Sequence, residues 1–76
     1  MKYLTELKQG QTAEISKIEG GFGAHRRLEL LGVRLGLKIK RENSHTVRGP
    51  VVISVGQSLN HVAIGYGIAQ KIMVKI

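Results

Sequence analysis

Between Gly20 and Gly36 the chain reads GGFGAHRRLELLGVRLG. Glycines at 20, 21 and 23 open a flexible loop. Gly32 supplies the left-handed residue that commonly ends a helix, with Val33 packing back. The stretch between them, residues 23–31, has helical spacing. At about 100° per residue, Ala24, Leu28 and Leu31 share one side with Arg27 flanking them, while Arg26, Glu29 and Leu30 point away. Gly36 breaks the chain again. The chain is thereby confined to one short helix between two extended segments. This unit is basic and holds no nucleophile, carboxylate pair or thiol, so it reads as a surface to present and not as a centre for chemistry.

The rest of the chain is written in short extended runs. Thr12 to Ile18 alternates, with Ala13 and Ile15 against Glu14 and Ser16. Leu37 to Asn43 places Leu37 and Ile39 inward and Lys38, Lys40 and Glu42 outward. Ser44 to Pro50 is a polar loop closing on Gly-Pro, a strong turn signal. Val51 to Val55 is β-branched, Gly56 and Ser58 mark a turn, and Leu59 to Ile64 reads as a fourth strand. Gly65-Tyr66-Gly67 is a tight connection with at most one helical turn through Ala69. Ile72, Val74 and Ile76 alternate inward at the end. Leu4 and Leu7 cap one end of the core, and Gly10 turns the chain. Five short strands with close glycine turns predict an all-β barrel or roll, in which closing the sheet removes exposed edges, with one helix after the first strand.

A chain of 76 residues is one domain. At that size only about 60% of the unfolded surface is buried, which leaves no room for both a core and a deep substrate cavity. There is no cysteine, which excludes disulfides and thiolate metal sites and fits a reducing compartment. No apolar run approaches the ~20 residues needed to span a bilayer, and no signal-peptide pattern opens the chain, so a soluble, unprocessed protein is expected. Twelve Lys and Arg against five acids give a formal net charge of +7. That balance favours acidic partners: nucleic acid, an anionic membrane face or an acidic protein surface.

The candidate functional groups are few. The Gly20-Gly21-x-Gly23 loop reads as a turn, since the Gly-Lys-Ser/Thr ending of a nucleotide loop is missing. His25, His45 and His61 stand 20 and 16 positions apart, which forms no metal motif. Arg27 is assigned to the fold, with its stem packed and its head on loop carbonyls; Arg26 is left available. Leu30 lies beside Arg26 away from the core. With Leu35, Val33 and Arg34 it forms an apolar patch rimmed by cations, the composition of a partner site. Tyr66 is either an exposed anchor or a lid on the barrel end. Lys38, Lys40 and Arg48 are either phosphate contacts or a solvated face.

The order of these features resembles one family. Leu4, Leu7 and Gly10 stand at the start, followed by Ile18, Gly20 and Gly21. Arg26, Arg27, Leu28, Leu31, Gly32, Val33 and Gly36 come next, then Gly49 and Pro50. Val62, Ala63 and Ile64 precede Ala69, Ile72 and Val74. This set resembles the ferrous-iron transport protein A (FeoA) family over nearly the full chain. Gly65 stands where members usually carry Arg, Leu35 where Pro is common and Leu31 where Met is common; His25 is not typical.

The resemblance implies a single SH3-like domain over residues 1–76, an all-β five-stranded barrel with one short helix inserted after the first strand. It implies a small cytoplasmic protein that is not an enzyme and carries no cofactor, catalytic residue or metal site. The implied role is accessory or regulatory in ferrous-iron uptake. Its partner would be the cytoplasmic G domain or membrane-proximal part of a FeoB-type transporter, through which the protein is peripheral to the inner membrane. The partner-binding residues are expected to be Arg26, Leu30, Arg34, Leu35 and Tyr66. Two alternatives remain open: a nucleic-acid-binding SH3-like barrel, disfavoured by the lack of a strand-borne aromatic array, and a GTPase-stimulating partner of the transporter G domain. The same barrel also occurs as the C-terminal module of iron-dependent repressors, behind a DNA-binding domain that has no counterpart here.

Overall fold

The computed structural model describes residues 2–44, 48–56 and 61–76. The chain runs through a two-residue strand β1 (Lys2–Tyr3), a 3-10 turn (Leu4–Glu6), β2 (Thr12–Ile18), α1 (Phe22–Leu30), β3 (Lys38–Arg41), β4 (Val51–Val55), β5 (His61–Ile64), a one-turn helix α2 (Tyr66–Ala69) and β6 (Ile72–Lys75). The strands form one antiparallel sheet in the order β1-β6-β2-β3-β4-β5. The small all-β architecture expected from the strand pattern is present. His45, Ser58 and the expected start of the fourth strand at residues 59–60 lie outside the described residues.

Closure is the main correction. β1 and β5 are the ends of the sheet and do not pair with each other, so it remains open. The chain leaves the sheet after Tyr3 because the 3-10 turn carries Leu4 and then Leu7 over the end of the core, where both are buried. An edge only two residues long exposes little unpaired backbone. Because Lys2–Tyr3 is itself a strand, the described residues hold six strands, and α1 follows the second of them.

One core unites β2 to β6. Ala13, Ile15 and Ile18 of β2 meet Ile39 of β3, Val51 and Ile53 of β4, Ile64 of β5 and Ile72 and Val74 of β6. Leu4, Leu7, Leu28, Val33 and Ala69 complete the cluster. Each fully buried Leu, Ile or Val contributes on the order of 1.5–3 kcal/mol relative to exposure. The step from Ile15 to Ile18 breaks strict alternation because the β2–β6 register shifts between Ile15 and Lys17. This bulge at Ser16 restores the inward direction for Ile18, and the Ser16 hydroxyl donates to the Met73 carbonyl at 3.2 Å. Ile76, expected inward, lies beyond β6 and is exposed.

Candidate functional site

α1 is held by glycines at both ends. At its start Gly20 has φ +108°, and a Cβ there would meet Lys71 Cδ at 3.3 Å and Ala24 Cβ at 3.5 Å. The Glu19 N–H donates to the Lys71 carbonyl at 2.7 Å, which ties the loop to the approach to β6. Of the expected glycine loop, only Gly20 needs the left-handed region; Gly21 is extended backbone and forms the N-cap. At the other end the Gly32 N–H donates to the Glu29 carbonyl at 2.9 Å and the Val33 N–H to the Leu28 carbonyl at 2.8 Å. These are the two bonds of a Schellman motif, with Gly32 at φ +84°. The motif brings Val33 onto Leu28, and both are buried.

The helix therefore touches the core along a narrow stripe. Leu28 is its one buried residue, and Ala24 and His25 are half-buried. Leu31, expected inward, is 45% exposed because Val33 fills the core position below it. Val33 accordingly drops out of the exposed patch. Arg27, assigned to the fold from its place on the wheel, is exposed like Arg26. Neither of these arginine side chains, nor that of Arg34, has a hydrogen-bond or ion-pair partner among the described residues.

A groove of about 280 Å³ lies between α1 and the turn that follows it, lined by Ile18, His25, Glu29, Val33, Arg34 and Leu35. Ile18 and Val33 form an apolar floor. His25 and Glu29 stand one turn apart on the same helix flank, and Arg34 and Leu35 come from the turn. The volume is below that of most small-molecule sites and suits one or two side chains of a partner. Arg34 and Leu35 thus lie together at this groove. Arg26 and Leu30 lie one turn apart on the adjoining outer face of α1, with Leu30 79% and Leu35 60% exposed. Tyr66 opens α2, is half-buried and is not among the groove-lining residues. Phe22, which the sequence reading passed over, is 81% exposed at the start of the helix. Its position between glycines next to the Arg pair was the signal that could have marked it.

The other basic residues are arranged differently. Glu14 pairs across strands with both Lys38 and Lys75, and directly opposite residues share a sheet face. These three line a second cleft with Thr12, Ala13 and Ile76, about 380 Å³ in volume. The carboxylate placed between the lysines tempers the positive field that a phosphate backbone would need there. His61 is exposed, and its Nε2 lies 3.9 Å from Glu42 Oε2. Among the described residues no three His, Cys, Asp or Glu side chains come together as a metal site.

The sequence matches the FeoA domain family over residues 2–76. It is 41% identical over 72 residues to a Methanocaldococcus jannaschii protein provisionally named Fe(2+) transport protein A, covering 95% of this chain and 83% of that one. The crystal structure of an iron uptake regulatory protein, FeoA, superposes with a TM-score of 0.83 at 36% identity over 95% of this chain and 92% of that chain. The solution structure of FeoA from Chlorobium tepidum gives a TM-score of 0.77 at 28% identity, over 97% of this chain and 69% of that one. The fold also forms about a third of T. acidophilum IdeR, with a TM-score of 0.82 and 31% identity. The small all-β fold is thus the SH3-like fold of these FeoA structures, and the chain belongs to the FeoA domain family.

Proposed function

We propose that this protein is a cytoplasmic accessory factor for ferrous-iron uptake that binds the cytoplasmic part of a FeoB-type transporter. The observation that carries this reading is the surface around α1. Leu30 and Leu35 are exposed on one helix–turn unit, beside Arg26 and Arg34, whose side chains have no partner among the described residues, and a side-chain-sized groove lies between helix and turn. An apolar centre with a cationic rim is the anatomy of a protein contact. Family membership and the iron-transport name of a relative support a partner within the ferrous-iron transport machinery. Arg26, Leu30, Arg34 and Leu35 form the contact, with Tyr66 as an outlying member. The net charge of +7 speeds encounter with an acidic partner.

Co-purification tests the reading. The tagged protein captures the transporter from detergent extracts, and Arg26→Glu combined with Leu30→Asp abolishes capture while leaving the circular dichroism spectrum and melting temperature unchanged. Both residues are exposed, so the double variant folds. Normal capture by that variant would show that the surface is wrongly placed.

A further inference from the structure

The outer stripe of α1 has a composition that the groove does not explain. Phe22, Arg26 and Leu30 follow one another at i, i+4 and i+8, so they drift by only about 40° per step and run along the side of the helix away from Leu28. Phe22 and Leu30 are 81% and 79% exposed and stand about 12 Å apart along the axis. Arg27 borders the stripe beside Leu30 and is exposed. Glu29, the one acid of the helix, stands three residues after Arg26 at the edge of this stripe, where it also lines the groove.

We propose that this stripe docks directly on a lipid bilayer surface rich in anionic headgroups. A protein interface gathers its apolar contacts into a continuous core depleted of charge. Here two large apolar side chains project from opposite ends of the helix with arginines between them. A bilayer interface accepts that spacing: each apolar side chain enters between headgroups on its own, and the guanidinium groups meet lipid phosphates. The cations have no partner among the described residues, and the excess of positive charge over the whole chain is complementary to an anionic leaflet. No helix among the described residues is long and apolar enough to cross the membrane, so α1 would lie on the surface and not enter it end-on. The stripe shares Arg26 and Leu30 with the proposed transporter contact, but Phe22 and Arg27 belong to the lipid surface alone, and binding through it requires no transporter.

Vesicle sedimentation tests it with the full chain. The protein binds vesicles of equal phosphatidylcholine and phosphatidylglycerol, binds phosphatidylcholine alone far less, and loses affinity as salt is raised. The chain has no tryptophan, so Phe22→Trp introduces a single reporter, whose emission shifts to the blue on the mixed vesicles. Arg27→Gln lowers the partition constant about fivefold. Phe22→Ser with Leu30→Ser lowers it by more than about tenfold. Arg27 and Phe22 lie outside the proposed transporter contact, so Phe22→Ser with Arg27→Gln releases vesicles while still capturing the solubilised transporter. No binding to the mixed vesicles, equal binding to both vesicle types, or an unshifted emission from Phe22→Trp overturns the proposal. So does loss of transporter capture by Phe22→Ser with Arg27→Gln while vesicle binding stays unchanged, which would make the stripe a protein contact.

Discussion

The Arg41 guanidinium donates from Nη1 to the Leu7 carbonyl at 2.8 Å. The same nitrogen donates to the Thr5 carbonyl at 3.1 Å, and Nε donates to Asn43 Oδ1 at 3.3 Å. Arg41 is 2% exposed, and burial pulls its pKa below the ordinary arginine value. The guanidinium remains a cation and acts as a fork that holds the N-terminal turn against β3. Its backbone adds to the clasp: the Arg41 N–H donates to the Gln11 carbonyl at 3.0 Å and its carbonyl accepts from Gly10 at 2.7 Å.

Replacing this side chain leaves two main-chain carbonyls without their donor. Arg41→Met is expected to lower unfolding stability by about 2–4 kcal/mol, because the apolar replacement fills the space but satisfies neither oxygen. Arg41→Lys keeps the charge and loses the fork geometry, so its cost falls between wild type and Arg41→Met. Urea titration followed by circular dichroism measures both. A midpoint for Arg41→Met equal to wild type would show that the clasp contributes nothing.

Two glycines of the α1 unit have opposite requirements. Gly32 sits at φ +84° with nothing near its Cβ direction, so Gly32→Ala is strained by conformation alone and costs about 1–2 kcal/mol. Gly23 lies within the helix with open space around it and no positive φ, so Gly23→Ala gains about 0.5–1 kcal/mol. Thermal unfolding of the two variants should move the melting temperature in opposite directions. Movement in the same direction contradicts the assignment of Gly32 as the helix stop.

The Tyr3 hydroxyl donates to Glu19 Oε1 at 2.8 Å. That hydrogen bond, followed by the negative charge of Glu19, partial burial and the charge of Glu6, raises the Tyr3 pKa above its ordinary 10.0. The folded state therefore favours the protonated phenol. Its stabilisation is fully present below pH 10.0 and is lost as pH rises through the folded-state value. An absorbance titration of tyrosinate should show a component above 10.0 that disappears in Tyr3→Phe and moves down in Glu19→Gln. Superimposable curves for wild type and Glu19→Gln would contradict the contact.

Most of the architecture was legible because it rests on local pattern. Thr12–Ile18 and Val51–Val55 announce themselves by alternation or β-branching, and Gly32 with Val33 marks the helix end. Sheet closure was not legible, since it depends on where the chain leaves Tyr3 and on lengths of strands that pair far apart in sequence. The bulge at Ser16 was hidden for a similar reason: only the pairing with β6 reveals that Ile18 resumes the inward face. Arg27 was misread because a helical wheel supplies angles but not the depth of contact. Val33, not the helix, closes the core beside Leu28, so Arg27 and Leu31 are left in solvent. Arg41 was legible in principle, two residues after inward Ile39, but its charge argued against a buried place. At the candidate site, the sequence supplied Leu30, Leu35 and the cations beside them. The groove itself needs Ile18 and His25, which are separated from the turn along the chain.

The most direct test of the account measures the affinity of the wild-type protein and of Arg34→Glu with Leu35→Asp for the cytoplasmic part of a FeoB-type transporter by titration calorimetry. Both positions are exposed at the rim of the groove, so the melting temperature of the variant should stay within a few degrees of wild type. The account predicts saturable binding by the wild type and at least about tenfold weaker binding by the variant. Equal affinity in the two, with both folded, would contradict it.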